Sequence, residues 1–253
     1  MPSMICTPAP RWLIACGGFF FRYRNYAFPA VLLGMLLLLR PQLLYGTEVW
    51  DRWLDWLGAL IAFGGQALRA ATIGFAYIKR GGLNKQVYAD RLVTGGLFGV
   101  CRNPLYLGNA LILLGLLVVF NHPVAYLCGI GFFGFAYHAI VRTEESYLLA
   151  KFGAEYRNYC GRVNRWLPDL ARLRPALAGM RFSWRRVVLK DYGSTAGWLC
   201  IALLLEDYEE ILWEQLSLLS GALAPSYGAI AAIALAAAAI RGLKKSGRLR
   251  EAA

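Results

Sequence analysis

The chain has 253 residues, of which 58% are hydrophobic and 17% charged, whereas a soluble domain carries about 45–50% apolar and about 25% charged residues. Disorder is excluded because there is ample apolar surface to offset chain entropy, and long apolar blocks argue for a membrane protein over an ordinary soluble enzyme. The net charge of +12, from 27 Lys and Arg against 15 Asp and Glu, points to cytoplasmic loops facing anionic lipid headgroups before it points to nucleic acid.

In chain order, residues 12–21 follow Arg11 and precede Arg22 and Arg24, which reads as an interfacial lead-in. A first span is expected at 27–45. A second, at 53–78, carries Gln66, Arg69 and the glycines Gly58, Gly64, Gly65 and Gly74. Arg69 either snorkels to the inner face or faces a polar cavity, since a charge inside a span is costly. Spans three and four are expected at 104–120 and 123–141. They are joined by Asn121-His122-Pro123, a tight turn because Pro123 cannot continue the preceding helix. A short segment at 192–205 and a longer one at 212–240, which holds Glu214 and Pro225, complete the map.

Six spans with both termini in the cytoplasm place every basic residue except Arg40, Arg52 and Arg69 on the inner side, and put Glu48, Asp51, Asp55, Glu206, Asp207, Glu209, Glu210 and Glu214 outside. The expected fold is therefore an all-α integral membrane protein of about six transmembrane helices. It divides into residues 1–89 (lead-in and two spans), 90–168 (core with spans three and four) and 169–253 (basic linker, two further segments and basic tail). The six cysteines form no CxxC pair and there are two histidines. No zinc or iron–sulfur ligand set is legible, and reduced thiols are expected. No Walker A, G-x-S-x-G or HExxH motif occurs, and the glycines at 95, 96 and 99 lack the strand–helix context of a dinucleotide fold.

Two blocks on the expected cytoplasmic side stand out. The first runs from Leu92 through Thr94-Gly95-Gly96-Leu97-Phe98-Gly99 to Arg102-Asn103-Pro104-Leu105-Tyr106-Leu107-Gly108-Asn109. It reads as a glycine-rich approach to a helix that begins at Pro104 with Asn103 as N-cap. Its free N–H groups, with Arg102 beside them, suit a carboxylate or phosphate. The second block, Arg142-Thr143-Glu144-Glu145 through Phe152-Gly153 and Tyr156 to Tyr159, then Trp166-Leu167-Pro168, sets paired carboxylates at the membrane surface. Leu148, Phe152, Tyr156 and Tyr159 follow as an apolar–aromatic stripe that lets the helix fold back on the membrane. Taken singly, each piece reads as ordinary juxtamembrane packing; the ordered pair around one tight hairpin is more specific.

The R-N-P-x-Y-L-G block, the hairpin and the E-E-x-x-L…F-G-x-x-Y-x-x-Y…P block resemble the isoprenylcysteine carboxyl methyltransferase / phospholipid methyltransferase family of integral-membrane enzymes, over residues 90–168. The resemblance implies S-adenosylmethionine as cofactor, in a cytoplasmic-face pocket closed by a juxtamembrane helix. It implies cofactor contacts at Gly95, Gly96, Arg102, Pro104, Tyr106, Gly108, His138, Glu144 and Glu145, with Arg102, Asn103, Tyr106 and Glu145 closest to the chemistry and no metal. Many eukaryotic members read R-H-P, so Asn103 removes an imidazole from this position. The expected acceptor is a lipid or lipidated molecule reaching the site from the bilayer. A carboxylate acceptor needs no base, whereas an amine must lose a proton to His138, Tyr106 or a Glu. On this reading Arg102 and Glu144 or Glu145 hold the cofactor between them. Rival readings are an NADPH-dependent membrane reductase of the sterol-reductase type, a non-catalytic membrane scaffold, and a transporter. The N-Y-x-G block of the reductases is absent, and so are the inverted repeats of transporters.

Overall fold

The computed structural model describes residues 7–76 and 87–249, and among these there are seven α-helices and no strand. They are α1 (Arg11–Leu38), α2 (Glu48–Phe75), α3 (Pro104–Phe120), α4 (Pro123–Cys160), α5 (Leu173–Leu177), α6 (Trp184–Trp213) and α7 (Ala224–Lys245). Four stretches are long and apolar enough to cross a membrane: Val49–Phe75, Pro123–Cys160, Trp184–Trp213 and Gly221–Lys245. α3 is apolar but has 17 residues. Large apolar side chains on the outer faces, Trp53, Trp56 and Leu60 of α2 and Leu127 of α4 among them, remain exposed, as lipid-facing surface requires. The chain is an all-helical membrane protein.

The largest departure from the expected map is at the N-terminus. Residues 12–21 are not a separate lead-in but the first half of α1, which continues through Arg22, Arg24 and Pro29 to Leu38. The reason is packing on α4. Leu13, Gly17 and Phe21 are buried, a methyl on Gly17 would stand 2.1 Å from the Ala139 carbonyl oxygen, and Thr143 Oγ1 donates to the Ile14 carbonyl at 3.3 Å. The segment expected at 192–205 is likewise the middle of a 30-residue helix. Apolar length ends at the flanking charges, but backbone hydrogen bonding does not, so the helix runs on through them. Ser183 caps its start by accepting from the Arg186 N–H at 3.3 Å. The long segment 212–240 is broken between Trp213 and Ala224, and Pro225 takes the first turn of α7.

The turn between α3 and α4 forms as the sequence predicts. Asn121 adopts the left-handed conformation (φ +39°), His122 caps α4 by accepting from the Val124 N–H at 3.1 Å, and Pro123 opens the helix. The two helices nonetheless pack mainly on other partners, α3 on α2 and α4 on α1. The α2–α3 contact is a glycine seam. Gly58 faces Gly115 and Gly65 faces Gly108, and a Cβ on any of the four would meet the opposing glycine carbonyl at 2.4–2.8 Å. Small residues let two backbones approach this closely in a membrane, where apolar burial alone does not drive association.

Ala62, Ile112, Leu116, Phe120, Trp198 and Leu205 then join α2, α3 and α6 in one core. Phe28 stands edge-on to Phe133 and Tyr137, with ring centroids 5.1 and 5.4 Å away, and ties α1 to α4. α4 kinks at Gly153 (φ +51°, ψ −116°), a conformation that favours glycine. Beyond the kink, Tyr156, Tyr159, Cys160 and Val163 pack with Leu92, Leu148 and Phe152, so the aromatic stripe folds back as expected.

Candidate active site

The end of the second sequence block straps down the start of the first. Arg102 N–H donates to the Asn164 carbonyl at 2.9 Å, Asp169 N–H donates to the Val100 carbonyl at 3.0 Å, and the Tyr159 hydroxyl donates to the Phe98 carbonyl at 2.7 Å. Asn103 stands at the N-cap position of α3, but its side chain does not cap the helix. Its amide nitrogen donates to the Arg165 carbonyl at 3.1 Å instead, because the strap lies closer than the helix N–H groups.

Glu145 is buried at the centre of three arginines. Arg102 Nη1 is 3.0 Å from one oxygen, Arg165 Nη2 2.8 Å and Arg142 Nη1 3.5 Å from the other. Arg102 and Glu145 are therefore partners of one another rather than two jaws around a cofactor. A buried carboxylate is tolerated when it is paired in this way. Both residues nonetheless border the large cavity. The adjacent Glu144 turns the other way. Its Oε1 accepts from the Tyr106 hydroxyl at 2.7 Å, and Arg24 Nη1 donates to the same hydroxyl at 3.2 Å. The Tyr106 and Tyr137 rings lie 5.6 Å apart.

A cavity of about 1050 Å³ opens against Arg102, Asn103, Tyr106, Glu144 and Glu145. It continues past Tyr137 and Asn109 to Ile112, Leu113, Trp198 and Ile201, and is bordered by Arg24, Arg69, Lys190 and Lys244. It therefore has a charged, aromatic end and an apolar end. Arg69 does not snorkel. It is 2% exposed, forms an ion pair with Asp191, donates to Asn109, and lines the cavity. Gln66 supports the pair, donating to Asp191 at 2.9 Å and accepting from the Trp198 indole at 2.9 Å.

Other expected cofactor residues lie elsewhere. Gly95 and Gly96 do not line the cavity; they sit beside Met180 and, for Gly96 (φ +61°), Ala76. Pro104 is buried in the first turn of α3. Gly108 belongs to the helix seam, where a Cβ would meet Arg69 Cγ at 2.6 Å and the Gly65 carbonyl at 2.8 Å. His138 is partly buried outside the cavity lining, within electrostatic range of Arg165, Arg142 and Glu145. Burial pushes the Cys101 thiol up from its ordinary value, which keeps it from acting as a thiolate. Cys16, Cys101, Cys128 and Cys200 are free thiols.

Sequence reasoning missed Arg24, Tyr137, Arg165 and Asp191. Arg24 follows a phenylalanine run and Asp191 ends a basic one; a charge bordering apolar sequence is the signal that was available for both. Tyr137 and Arg165 carry no comparable signal, since only packing brings them to Tyr106 and Glu145.

The model of the phospholipid methyltransferase family matches residues 54–155. The resemblance read from the motifs is thus borne out there, and the match begins earlier, within α2. The chain is also similar to the cobalt-zinc-cadmium resistance protein CzcN of Cupriavidus metallidurans, with 32% identity over 136 residues, or 52% of this chain. The match covers 59% of that relative's length. No solved structure matches.

Proposed function

We propose that this chain, whose residues 54–155 match the phospholipid methyltransferase family, is a membrane-embedded enzyme that moves the methyl group of S-adenosylmethionine to a lipid or lipidated acceptor. The observation that carries this reading is the composition of the one cavity that holds Tyr106 and Glu144. It joins a charged, aromatic end to an apolar end. Its size of about 1050 Å³ stands at the upper end of the roughly 300–1,000 Å³ typical of small-molecule sites.

The residues present fit the cofactor. S-adenosylmethionine supplies, when bound, a methyl group on a positively charged sulfur that is transferred by a single displacement. The Tyr106 and Tyr137 rings offer faces suited to a cation. Glu144, held by Tyr106, offers a carboxylate to an ammonium or to ribose hydroxyls. Arg102 is committed to Glu145, so its role is to hold Glu145 and the strap in place beneath the cavity. Walls of Ile112, Leu113 and Ile201 exclude water and accept an acyl or prenyl chain. Arg69, Lys190 and Lys244 border the same space and suit an anionic headgroup. Positioning and water exclusion supply most of the acceleration in such a transfer.

We place the cavity mouth and both termini on the cytoplasmic side, from the basic residues of 142–190 and 241–250, with anionic headgroups as neighbours of these loops. The test is incubation of membranes containing the protein with methyl-labelled S-adenosylmethionine. Label is expected in lipid or in lipidated protein, and Glu144→Gln should lower it. Unlabelled membranes together with tight NADPH binding by the purified protein would replace this reading with a reductase. Unlabelled membranes and no binding of either cofactor would leave a scaffold.

A further inference from the structure

At the end of the bundle opposite Arg102 and Glu145, three carboxylates converge. One oxygen each of Asp51, Asp55 and Glu209 lies within 4.8 Å of the others. Asp51 and Asp55 stand one turn apart at the start of α2, and Glu209 near the end of α6. Asp51 is 2% exposed and Glu209 3%. Asp51 Oδ1 accepts a long hydrogen bond from Asn121 at 3.4 Å. Asp51 Oδ2, Asp55 Oδ1 and Glu209 Oε1 are buried without any hydrogen-bond partner. No ion pair to any of the three occurs among the described residues. Glu206 adds a further carboxyl in electrostatic range, and Arg52 is within range of Asp55.

Buried carboxylates are ordinarily paired or coordinate a metal, because an isolated ionised carboxylate out of water is very costly. The three-arginine cage of Glu145 shows how this chain treats such a group elsewhere. The spacing also fits one ion: oxygens about 2.3–2.6 Å from a Ca²⁺-sized cation stand at most about 5 Å apart. An all-oxygen, carboxylate-rich donor set suits Mg²⁺, Ca²⁺ or Mn²⁺ rather than a soft metal. Access exists, since Asp55 and Glu206 also border a cavity of about 540 Å³ between α2, α3 and α6.

We propose that Asp51, Asp55 and Glu209 form a binding site for a hard divalent cation, which fastens the start of α2 to the end of α6. The same two helices carry Arg69 and Asp191 nearer the other end of the bundle, so the site braces the walls of the large cavity from outside it. It escaped the sequence because its residues belong to two helices far apart in the chain, and because metal motifs are sought among Cys and His.

The probe is Mn²⁺ added to the full chain, purified in detergent and stripped with chelator. Binding is read from loss of the free-ion electron paramagnetic resonance signal, and stability from thermal melting. One Mn²⁺ per chain is expected, with a rise in melting temperature. Asp51→Asn and Glu209→Gln should each weaken binding at least about tenfold, the loss typical of disturbing a metal site, and abolish the Mn²⁺-dependent rise. In chelator the Glu209→Gln protein should melt no lower than the unaltered protein, because a neutral amide removes an uncompensated buried charge. The proposal is overturned if the unaltered protein binds no Mn²⁺ up to about 1 mM, the weak limit for carboxylate cation sites. It is equally overturned if both variants bind Mn²⁺ as the unaltered protein does.

Discussion

Arg102 and Glu145 touch directly, Nη1 to Oε1 at 3.0 Å, with both side chains almost fully buried. The two residues that the motifs present as a cofactor's opposite clamps thus neutralise each other, and Glu145 is further held by Arg142 and Arg165. The adjacent Glu144 is held instead by the Tyr106 hydroxyl, on the same cavity wall.

Glu145→Ala leaves the buried Arg102 and the partly buried Arg142 and Arg165 without their shared anion. Removing one partner of a buried pair costs about 3–5 kcal/mol. The expected outcome is a clear drop in melting temperature in detergent, with Arg102→Ala showing a similar loss. If either protein melts normally and only cofactor binding falls, the pair faces the ligand and not the fold.

Tyr106→Phe keeps the ring and removes the hydroxyl that bridges Arg24 and Glu144. A hydrogen bond to a charged group is worth about 1.5–3 kcal/mol, so the melting temperature should fall, and S-adenosylmethionine affinity measured by calorimetry should fall as well because Glu144 loses the group that orients it. Tyr106→Leu should lose more, since the aromatic face goes as well. Equal losses in the two variants would remove the ring from the argument.

Gly64 and Gly65 are neighbours with opposite surroundings. A Cβ on Gly65 would stand 2.6 Å from the Gly108 carbonyl oxygen, whereas one on Gly64 has nothing within 4 Å. Gly65→Ala should destabilise by about 1–3 kcal/mol, the usual cost of overpacking, and Gly64→Ala should melt at or above the parent temperature. Indistinguishable melting curves would show that α2 and α3 can separate freely.

Arg69 and Asp191 form a second buried pair, 2% and 1% exposed. Asp191→Leu alone should destabilise by about 3–5 kcal/mol, because it strands the guanidinium, whereas adding Arg69→Met should restore much of the loss. Chemical denaturation of the single and double variants measures this coupling. Additive losses would mean that the pair contributes no interaction of its own.

By itself, the sequence determined the class of the fold and the family that residues 54–155 resemble. Apolar block length, the Asn121-His122-Pro123 turn and the kink-permitting Gly153 are local properties, and local backbone preference plus hydropathy decides them. The pairing of the Arg102 block with the Glu144-Glu145 block was also legible, as a resemblance. Tertiary structure alone decided the partners of the two carboxylates that line the cavity, three arginines for Glu145 and the Tyr106 hydroxyl for Glu144, since the two are adjacent in sequence and differ only in what packs against them. It decided that residues 12–21 join α1, because Gly17 can approach Ala139 closely, and that Gly108 serves a helix seam. It also brought together Arg69 with Asp191, and Asp51 with Glu209. Such partners are set by how helices dock, a non-local choice made by close packing and by the cost of leaving a buried charge alone.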